Sequence, residues 1–254
     1  MKQNPDTLIS RFRDITENTP AYTKSLQQKG HLVAGTMCTH VPEEILYAAG
    51  IIPVRILSVH VSQAMTRSYI HETYCSFSHD CAYQGLQDHF AHLDLIAHSS
   101  SCIHMAEAFN VWVRFAGFQE KSYLLPFPHI IHTKQAGKLM AQTFTEFKQF
   151  LETFAGKSIT DHDIEHAIKI CNTTRRHLKQ LWNLLKRENP PITGRDAATV
   201  TLAAQVMDKQ EYNQMLARLI QRLQGLPGKE ASGTRLMVTG GACDDLRIFD
   251  LIEQ

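Results

Sequence analysis

The sequence lacks any apolar run long enough to cross a membrane. Although 43% of its 254 residues are hydrophobic, none of its stretches approaches the roughly 20 consecutive apolar residues that a spanning helix needs. The first residues, MKQNPDTLISRFRD, also lack the apolar segment of a signal peptide. These two absences predict a cytoplasmic protein with no membrane partner.

The sequence is equally short of nucleotide-binding and nucleic-acid-binding signals. It contains no GxGxxG of a dinucleotide-binding site, and it also lacks the metal-site motif HExxH and the metal or redox motif CxxC. The segment AGKS at residues 155–158 ends like a phosphate-binding loop, but the first glycine of that loop would fall on Leu151. A formal net charge of +1, without a dense group of lysines and arginines, gives no electrostatic basis for binding nucleic acid. We therefore predict no nucleic-acid partner.

Short apolar segments alternate with segments of helical periodicity in the first half of the chain. After an N-terminal helix that Gly30 ends, the apolar segments predict strands at residues 31–37, 51–56, 94–98 and 122–126. This alternation is typical of βαβ units and predicts an α/β fold, a Rossmann-like parallel sheet flanked by helices. Ligands of such sheets bind beyond the carboxyl ends of the strands.

The composition changes after Pro128, where strand signals almost disappear. Long amphipathic helices are predicted between Lys134 and about Leu226, and TRLMVTGG, residues 234–241, predicts one more strand before a last helix. We therefore divide the chain into a first α/β domain (1–130) with the site cysteines, a helical region (131–227) and the start of a second α/β domain (228–254). A lone strand and helix cannot bury both faces, so we expect a fragment or an incomplete reading frame.

The six cysteines, Cys38, Cys75, Cys81, Cys102, Cys171 and Cys243, are better explained in a reducing compartment as free thiols or metal ligands than as disulfides. Cys75 and Cys102 each come just before a predicted helix, at crossovers of the same sheet. Their thiolates would suit an iron-sulfur cluster or zinc. The alternative is that both are small buried hydrophobic residues.

Two other cysteines fit the protein core better than a site. Cys81 lies six residues after Cys75, which places it elsewhere on a regular helix, so we interpret it as a packing residue or a reserve ligand. Cys171 lies on an apolar stripe and is predicted to be buried. A zinc module built from Cys75, His79, Cys81 and Cys102 has suitable ligand types but no recognisable spacing.

The segment CTHVPEEILYAAGIIPVRI, residues 38–56, combines helix signals with reactive side chains. Pro42 suits a first helical position, the two following glutamates favour the helix N-terminus, and Gly50 suits the helix end. None of these signals requires Cys38 or His40. The thiol and the imidazole therefore need another explanation.

Five segments together resemble the iron-sulfur subunits of the 2-hydroxyacyl-CoA dehydratase and benzoyl-CoA reductase family. In chain order they are GTMCTHVPEEILYAAGIIPVRI, YCSFSHDCAYQGL, LDLIAHSSSCIHMAEAFNVW, SITDHDIEHAIKICNTTRRHLKQLWNLLKRENPPITGRDA and RLMVTGGACDDLRIFDLIEQ. They resemble the opening motif, the two segments with the first cluster cysteines, the helical insertion and the start of the second α/β domain. The resemblance covers nearly the whole chain in the family's order.

The resemblance implies a cofactor and its ligands. It carries the cluster-ligand role onto Cys75 and Cys102, and implies a [4Fe-4S] cluster that three cysteines hold, with one iron open to oxygen or substrate. The family's third cysteine comes late in the second domain, beyond the end of this sequence. Cys243 matches a Gly-x-x-Cys of some reductase-type members, but its position fits active-site lining better than the third ligand.

The resemblance also implies a reaction and partners. It implies one subunit of an oxygen-sensitive two-subunit enzyme, to which a separate ATP-hydrolysing iron-sulfur activator gives one electron. The electron passes to an acyl-CoA thioester and forms a ketyl radical, after which either a leaving group is expelled or an aromatic ring is reduced. Glu44 or His40 would exchange a proton with the substrate, and Glu44 matches a glutamate of the family motif. The alternative is a noncatalytic partner subunit without a working cluster.

Overall fold

The computed structural model describes residues 4–228, 234–240 and 243–254, and confirms the α/β fold. The strands are β1 Leu32–Thr36, β2 Ile51–Arg55, β3 Leu95–Ser99 and β4 Ser122–Leu125. The helices are α1 Pro5–Glu17, α2 Thr19–Gln28, α3 Glu43–Ala48, α4 Ser76–Leu86, α5 Ile103–Phe115, α6 Lys134–Ala155, α7 Asp161–Leu185, α8 Gly194–Val206, α9 Lys209–Gln224 and α10 Arg247–Ile252, with a short 3₁₀ helix at Gln63–Met65. Within the described ranges, no helix is long and apolar enough to cross a membrane.

The four described strands form one parallel sheet in the order β2-β1-β3-β4. The chain passes from β1 through α3 to β2 on one side of β1, and then returns to β3 on its other side. The strand order therefore reverses between β1 and β3. At such a switch point the connections leave the sheet in opposite directions and open a crevice at the carboxyl ends.

One face of this sheet is covered by α3, α6 and the first turns of α7. Buried side chains from three strands, among them Ala34, Ile51 and Leu95, pack there with Leu46 of α3 and Phe147 of α6. The strands are apolar on both faces because helices cover both, which is typical of parallel sheets.

The other face is covered by α4 and α5, which pack closely on each other. Gly85 of α4 lies against the ring of the fully buried Trp112, and an added Cβ would stand 2.5 Å from the indole Nε1. That Nε1–H donates to the carbonyl of Cys81 at 2.8 Å. Cys81 is itself fully buried and donates to the carbonyl of Ile56, which confirms the predicted packing role. The α4–α5 seam thus sets the positions of both helix N-termini.

Asp94 fixes the opposite, amino-terminal end of β3. Its carboxylate accepts from the backbone N–H of Val33 at 2.8 Å and from the side-chain amide of Gln27 at 2.7 Å. The aspartate that precedes the strand therefore aligns β3 with β1 and lies away from the crevice.

The chain divides into two compact units. Pro20–Ile168 contain the whole sheet, and the residues up to Thr19 together with Lys169–Gln254 form the other unit. In the latter, Phe12 of α1 meets Tyr212 of α9 edge to face at 5.4 Å. Cys171 is buried there, as predicted, and Cys243 belongs to the same unit and is half-buried.

Two sequence predictions need correction. The N-terminal helix that was predicted as one is two helices, α1 and α2, separated by Asn18. Pro20 explains the break, because it has no N–H and its ring would clash with the carbonyl four residues earlier in a continuous helix. Residues 234–240 form no strand, and Leu236 and Met237 are exposed there. Apolar residues alone do not make a strand, because its backbone groups need a neighbouring strand to pair with.

Candidate functional site

Polar and aromatic side chains follow three neighbouring strands at the carboxyl edge of the sheet. Cys38 and His40 follow β1, Ser100 and Ser101 follow β3, and Phe127 follows β4. Because the strands are parallel neighbours, these segments meet at one edge. The crevice at the switch point is therefore lined by a thiol, an imidazole and hydroxyl groups.

The sulfur of Cys38 joins two of these segments. It lies 2.9 Å from the hydroxyl oxygen of Ser101, which is 63 residues later in the chain. It also lies 3.2 Å from Nδ1 of His40 and accepts from the backbone N–H of His40 at 3.5 Å. A half-buried thiol thus has polar contacts on several sides.

His40 and Phe127 extend the same group toward β4. Their rings pack with centroids 4.5 Å apart and planes tilted by 54°. The backbone N–H of Phe127 donates to the hydroxyl of Ser100 at 2.9 Å, which ties the segment after β4 to the segment after β3. The imidazole is held by this packing although it is exposed.

Cys75 and Cys102 lie at two neighbouring helix starts, as predicted. Each is the N-cap of its helix, α4 and α5 respectively, and each is exposed. Neither side chain caps its own helix by a hydrogen bond. Both sulfurs therefore remain available to a ligand, each at a helix N-terminus, where the helix dipole favours negative charge.

His104 joins these two helix starts. Its Nδ1 accepts the backbone N–H of Cys75 at 3.0 Å, and its ring stacks on Tyr74 with centroids 4.8 Å apart and an interplanar angle of 13°. His104 is the second residue of α5, close in sequence to Cys102. The segment that carries Cys75 is thus fixed to the helix that Cys102 begins.

Buried polar residues of α4 hold the long connection between β2 and Cys75. The carboxylate of Asp80 accepts the backbone N–H groups of His60 and Val61 at 2.9 and 3.0 Å. The buried His79 bonds the hydroxyl of Thr66 through Nδ1 at 2.6 Å. These contacts explain why two polar side chains are buried in a helix that packs on the sheet.

The donor chemistry at the two helix starts fits a thiolate-ligated metal only in part. Two exposed cysteine sulfurs suit iron-sulfur clusters or zinc, but the described residues contain no group of three or more His, Cys, Asp or Glu that could hold a metal ion. Cys81 is in the core and His79 bonds Thr66, so they do not complete a zinc site with the other two. Cys243 lies in the other unit.

Glu44, the other predicted proton-exchange residue, lies in the first turn of α3 beside Glu43. Both glutamates are half-buried. Pro42, predicted at the first helical position, is instead the N-cap of this helix, which begins at Glu43. Gly50 has the positive φ, 79°, expected after the helix end. The role of Glu44 stays a prediction.

A fully buried histidine lies just inside this edge. His98 of β3 packs against Phe109, with centroids 5.7 Å apart, and neither ring nitrogen has a hydrogen-bond partner among the described residues. Burial, and secondarily the charge of Arg55, lower the pKa of His98 from 6.5 to about 4, while the backbone of Cys102 has a smaller opposite effect. His98 is therefore neutral at physiological pH.

Replacing His104 tests how the Cys75 segment is fixed. We expect His104→Ala to lower the free energy of unfolding by about 1–2 kcal/mol, because it removes an acceptor and an aromatic contact. Amide hydrogen exchange at Cys75 should become at least about tenfold faster, since the N–H loses its partner. His104→Asn, whose Oδ1 can occupy the place of Nδ1, should restore slow exchange. Equal exchange rates in all three proteins would show that this contact does not hold the segment.

Sequence reasoning missed Ser101, Phe127 and His104. Ser101 and Phe127 follow strands directly, so a search for every polar or aromatic residue after a predicted strand would have included them. His104 had no such signal, because its contact with Cys75 depends on how α4 packs on α5.

A protein-family model described as "2-hydroxyglutaryl-CoA dehydratase, D-component" matches residues 38–254. The matched range begins at Cys38 and includes Cys75, Cys102 and His104. It therefore covers all the crevice residues described above.

Three curated relatives are each 24–26% identical to this chain. The chain is 26% identical to the (R)-phenyllactyl-CoA dehydratase beta subunit of Clostridium sporogenes, covering 99% of this chain and 67% of that protein. It is 26% identical to the beta subunit of (R)-2-hydroxyglutaryl-CoA dehydratase from Acidaminococcus fermentans, covering 92% and 62%. It is 24% identical to a benzoyl-CoA reductase subunit of Thauera aromatica, covering 84% and 55%. The chain thus spans between 55% and 67% of the length of these three relatives.

Proposed function

The chain belongs to the 2-hydroxyglutaryl-CoA dehydratase D-component family, and from this premise we propose that it is one subunit of an enzyme that acts on an acyl-CoA thioester. The proposal covers both outcomes, loss of a hydroxyl group from a 2-hydroxyacyl-CoA and reduction of an aromatic acyl-CoA. Relatives of both kinds match the chain. Both outcomes share their first reaction step at the thioester.

One observation supports this proposal most directly. Two exposed cysteines begin neighbouring helices on one face of a parallel sheet, and the contact between Cys75 and His104 joins those helix starts. Helices in such a fold run opposite to the strands, so their N-termini lie at the carboxyl edge, where ligands bind. Exposed thiols that make no capping hydrogen bond have no evident structural role there.

In this proposal Cys75 and Cys102 hold a [4Fe-4S] cluster, with further ligands from outside the group of described residues. When bound, such a cluster supplies single electrons to the thioester. The chain's own residues hold the two sulfurs in place: His104 fixes the backbone at Cys75, and Asp80 and His79 fix the connection that leads to it. Cys243 belongs to the other compact unit and has no role in this proposal.

Proton transfer is the second role of this edge. The imidazole of His40 is exposed and held by Phe127, and Glu44 lies in the first turn of α3, nearby in sequence. A side chain that exchanges a proton with the substrate must reach the reacting group and be able to donate and accept a proton, as histidine and glutamate do in general acid–base catalysis. We propose His40 and Glu44 for this role.

The proposal includes two protein partners. All three relatives are named as single subunits of larger enzymes, and we propose that this chain likewise pairs with a second, homologous subunit. We also propose an ATP-hydrolysing iron-sulfur activator as the electron donor. A noncatalytic subunit that binds no cluster is the alternative, and iron binding separates the two.

Anaerobic reconstitution with ferrous iron and sulfide tests this proposal. The chain should bind iron with the broad absorption near 400 nm of an iron-sulfur cluster, but with fewer than four irons per chain, because two cysteines hold a cluster weakly. Cys75→Ser and Cys102→Ser should each lose most of the bound iron and the absorption. Iron and sulfide per chain are measured chemically beside the spectrum.

Cys171→Ser is the matched control, since Cys171 is buried in the core of the other unit. It should keep wild-type iron content. If both ligand variants retained the wild-type iron content, or if the wild-type chain bound none, the noncatalytic alternative would be the better account.

A further inference from the structure

We propose that Cys38 is an activated nucleophile that exchanges with the thioester of an acyl-CoA and forms a covalent acyl-enzyme. The choice of acyl-CoA as the substrate class rests on the proposed function above. The choice of Cys38 rests on its contacts alone. This activity needs neither iron nor an electron donor.

The contacts of Cys38 are those of a nucleophile paired with a base. Its sulfur lies 3.2 Å from Nδ1 of His40, within the reach of a hydrogen bond, as in other enzymes that use a thiol and an imidazole. In the tautomer that carries its proton on Nε2, Nδ1 accepts the proton of the thiol. The backbone N–H of His40 and the hydroxyl of Ser101 reach the same sulfur and stabilise it once the proton has left.

The base is held in place by a third group. The ring of His40 packs on Phe127, and the backbone of Phe127 is tied to Ser100. These are segments after three adjacent strands, so packing at the edge of the sheet holds the imidazole beside the thiol that lies two residues earlier in the chain. A pair fixed in this way loses little conformational entropy when it reacts.

Accessibility supports the same assignment. Cys38 is half-buried, whereas Cys81 and Cys171 are in the core. Cys75 and Cys102 are more exposed than Cys38, and therefore serve as reference thiols in the same molecule. If exposure alone decided reactivity, these two would react first.

The exchange is balanced without any further reactant. The thiol proton of Cys38 passes to Nδ1 of His40, and the sulfur attacks the thioester carbonyl carbon. The bond between that carbon and the sulfur of CoA then breaks, and the departing CoA sulfur takes the proton from His40. One thioester is replaced by another, CoA leaves as a free thiol, and nothing is oxidised or reduced.

Butyryl-CoA and the butyryl thioester of N-acetylcysteamine are suitable probes, used without iron or activator. Both lack a hydroxyl group to expel, and the second also lacks the nucleotide, so it reports thiol reactivity independently of CoA binding. Peptide mass spectrometry locates the butyryl group, and chromatography measures the released thiol. We expect Cys38 to be acylated at least about tenfold faster than Cys75 or Cys102, with one thiol released per acyl group.

Variants separate activation from mere exposure. Cys38→Ser should abolish the fast acylation, and His40→Asn should slow it by about 100-fold, the usual effect of losing a general base. Ser101→Ala should slow it by a smaller factor. His132→Asn is the matched control, because His132 is exposed and lies outside the crevice segments, and it should acylate at the wild-type rate.

The proposal is overturned if neither thioester acylates Cys38, if the label spreads evenly over the exposed cysteines, or if His40→Asn reacts at the wild-type rate. Its failure is distinct from that of the proposed function. Iron bound through Cys75 and Cys102 without acylation of Cys38 would overturn only the acyl-enzyme. Fast, His40-dependent acylation in a chain that binds no iron would support the acyl-enzyme and contradict the cluster.

Discussion

Replacement of Gly85 by alanine is expected to lower the free energy of unfolding by about 3 kcal/mol. The new Cβ would stand 2.5 Å from Nε1 and 2.7 Å from Cδ1 of Trp112, far closer than nonbonded atoms approach. The indole cannot move aside easily, because it is fully buried, packs against Phe90 and Phe118, and donates to the carbonyl of Cys81. The helices α4 and α5 must therefore separate.

Urea unfolding followed by circular dichroism measures this effect, and Gly137→Ala is the matched control. Gly137 also lies in a helix, α6, but an added Cβ would meet nothing within 4 Å. Alanine there should stabilise the protein by about 0.5–1 kcal/mol, the ordinary gain in a helix. If both variants shifted the free energy of unfolding in the same direction and by similar amounts, the result would contradict the close packing of α4 on α5.

Gly85→Ala also links the packing of α4 on α5 to the candidate site. Cys75 and Cys102 are the N-caps of α4 and α5, and Gly85 allows these two helices to pack closely on each other. Separating the helices should weaken the contact between Cys75 and His104 and reduce iron uptake in protein that still folds. Gly137→Ala should leave iron uptake unchanged.

The fold class was predictable because the local secondary-structure signals and the pattern of buried residues both indicate alternating strands and helices. The strands are apolar on both faces and the helices between them are periodic, so alternation alone predicted parallel pairing. The order of the strands was not predictable in this way, since it depends on which connection crosses which face of the sheet. The break at Asn18 was missed although Pro20 signals it.

The candidate site was predictable in outline but not in its contacts. Helix-start signals placed Cys75 and Cys102, and the parallel direction of the strands brought both to one edge. The contact between Cys38 and Ser101 joins residues 63 positions apart, and the contact between Cys75 and His104 joins residues 29 apart. No local pattern encodes such pairs, because they result from the packing of whole elements.

Acidification below neutral pH is expected to destabilise the protein through His98. Its pKa is about 4 in the folded chain and 6.5 when unperturbed, so the unfolded chain binds a proton at a higher pH than the folded chain does. Well above pH 6.5 the residue is neutral in both states and contributes no pH dependence. Between about pH 6.5 and pH 4 the stability falls progressively, by a total on the order of 3 kcal/mol.

Urea unfolding at pH values from 8 to 4, compared between wild type and His98→Leu, isolates this contribution. Leucine fills a similar volume beside Phe109 and cannot be protonated, so the difference in stability between the two proteins should change by about 3 kcal/mol across the range, in favour of leucine at low pH. His132→Asn, at an exposed position, should keep the wild-type pH dependence. A constant difference between wild type and His98→Leu would mean that the folded protein binds a proton at His98 as readily as the unfolded chain. The ring would then have to reach water or an acceptor, which requires the edge beside Cys102 to open, since the folded structure buries the ring completely.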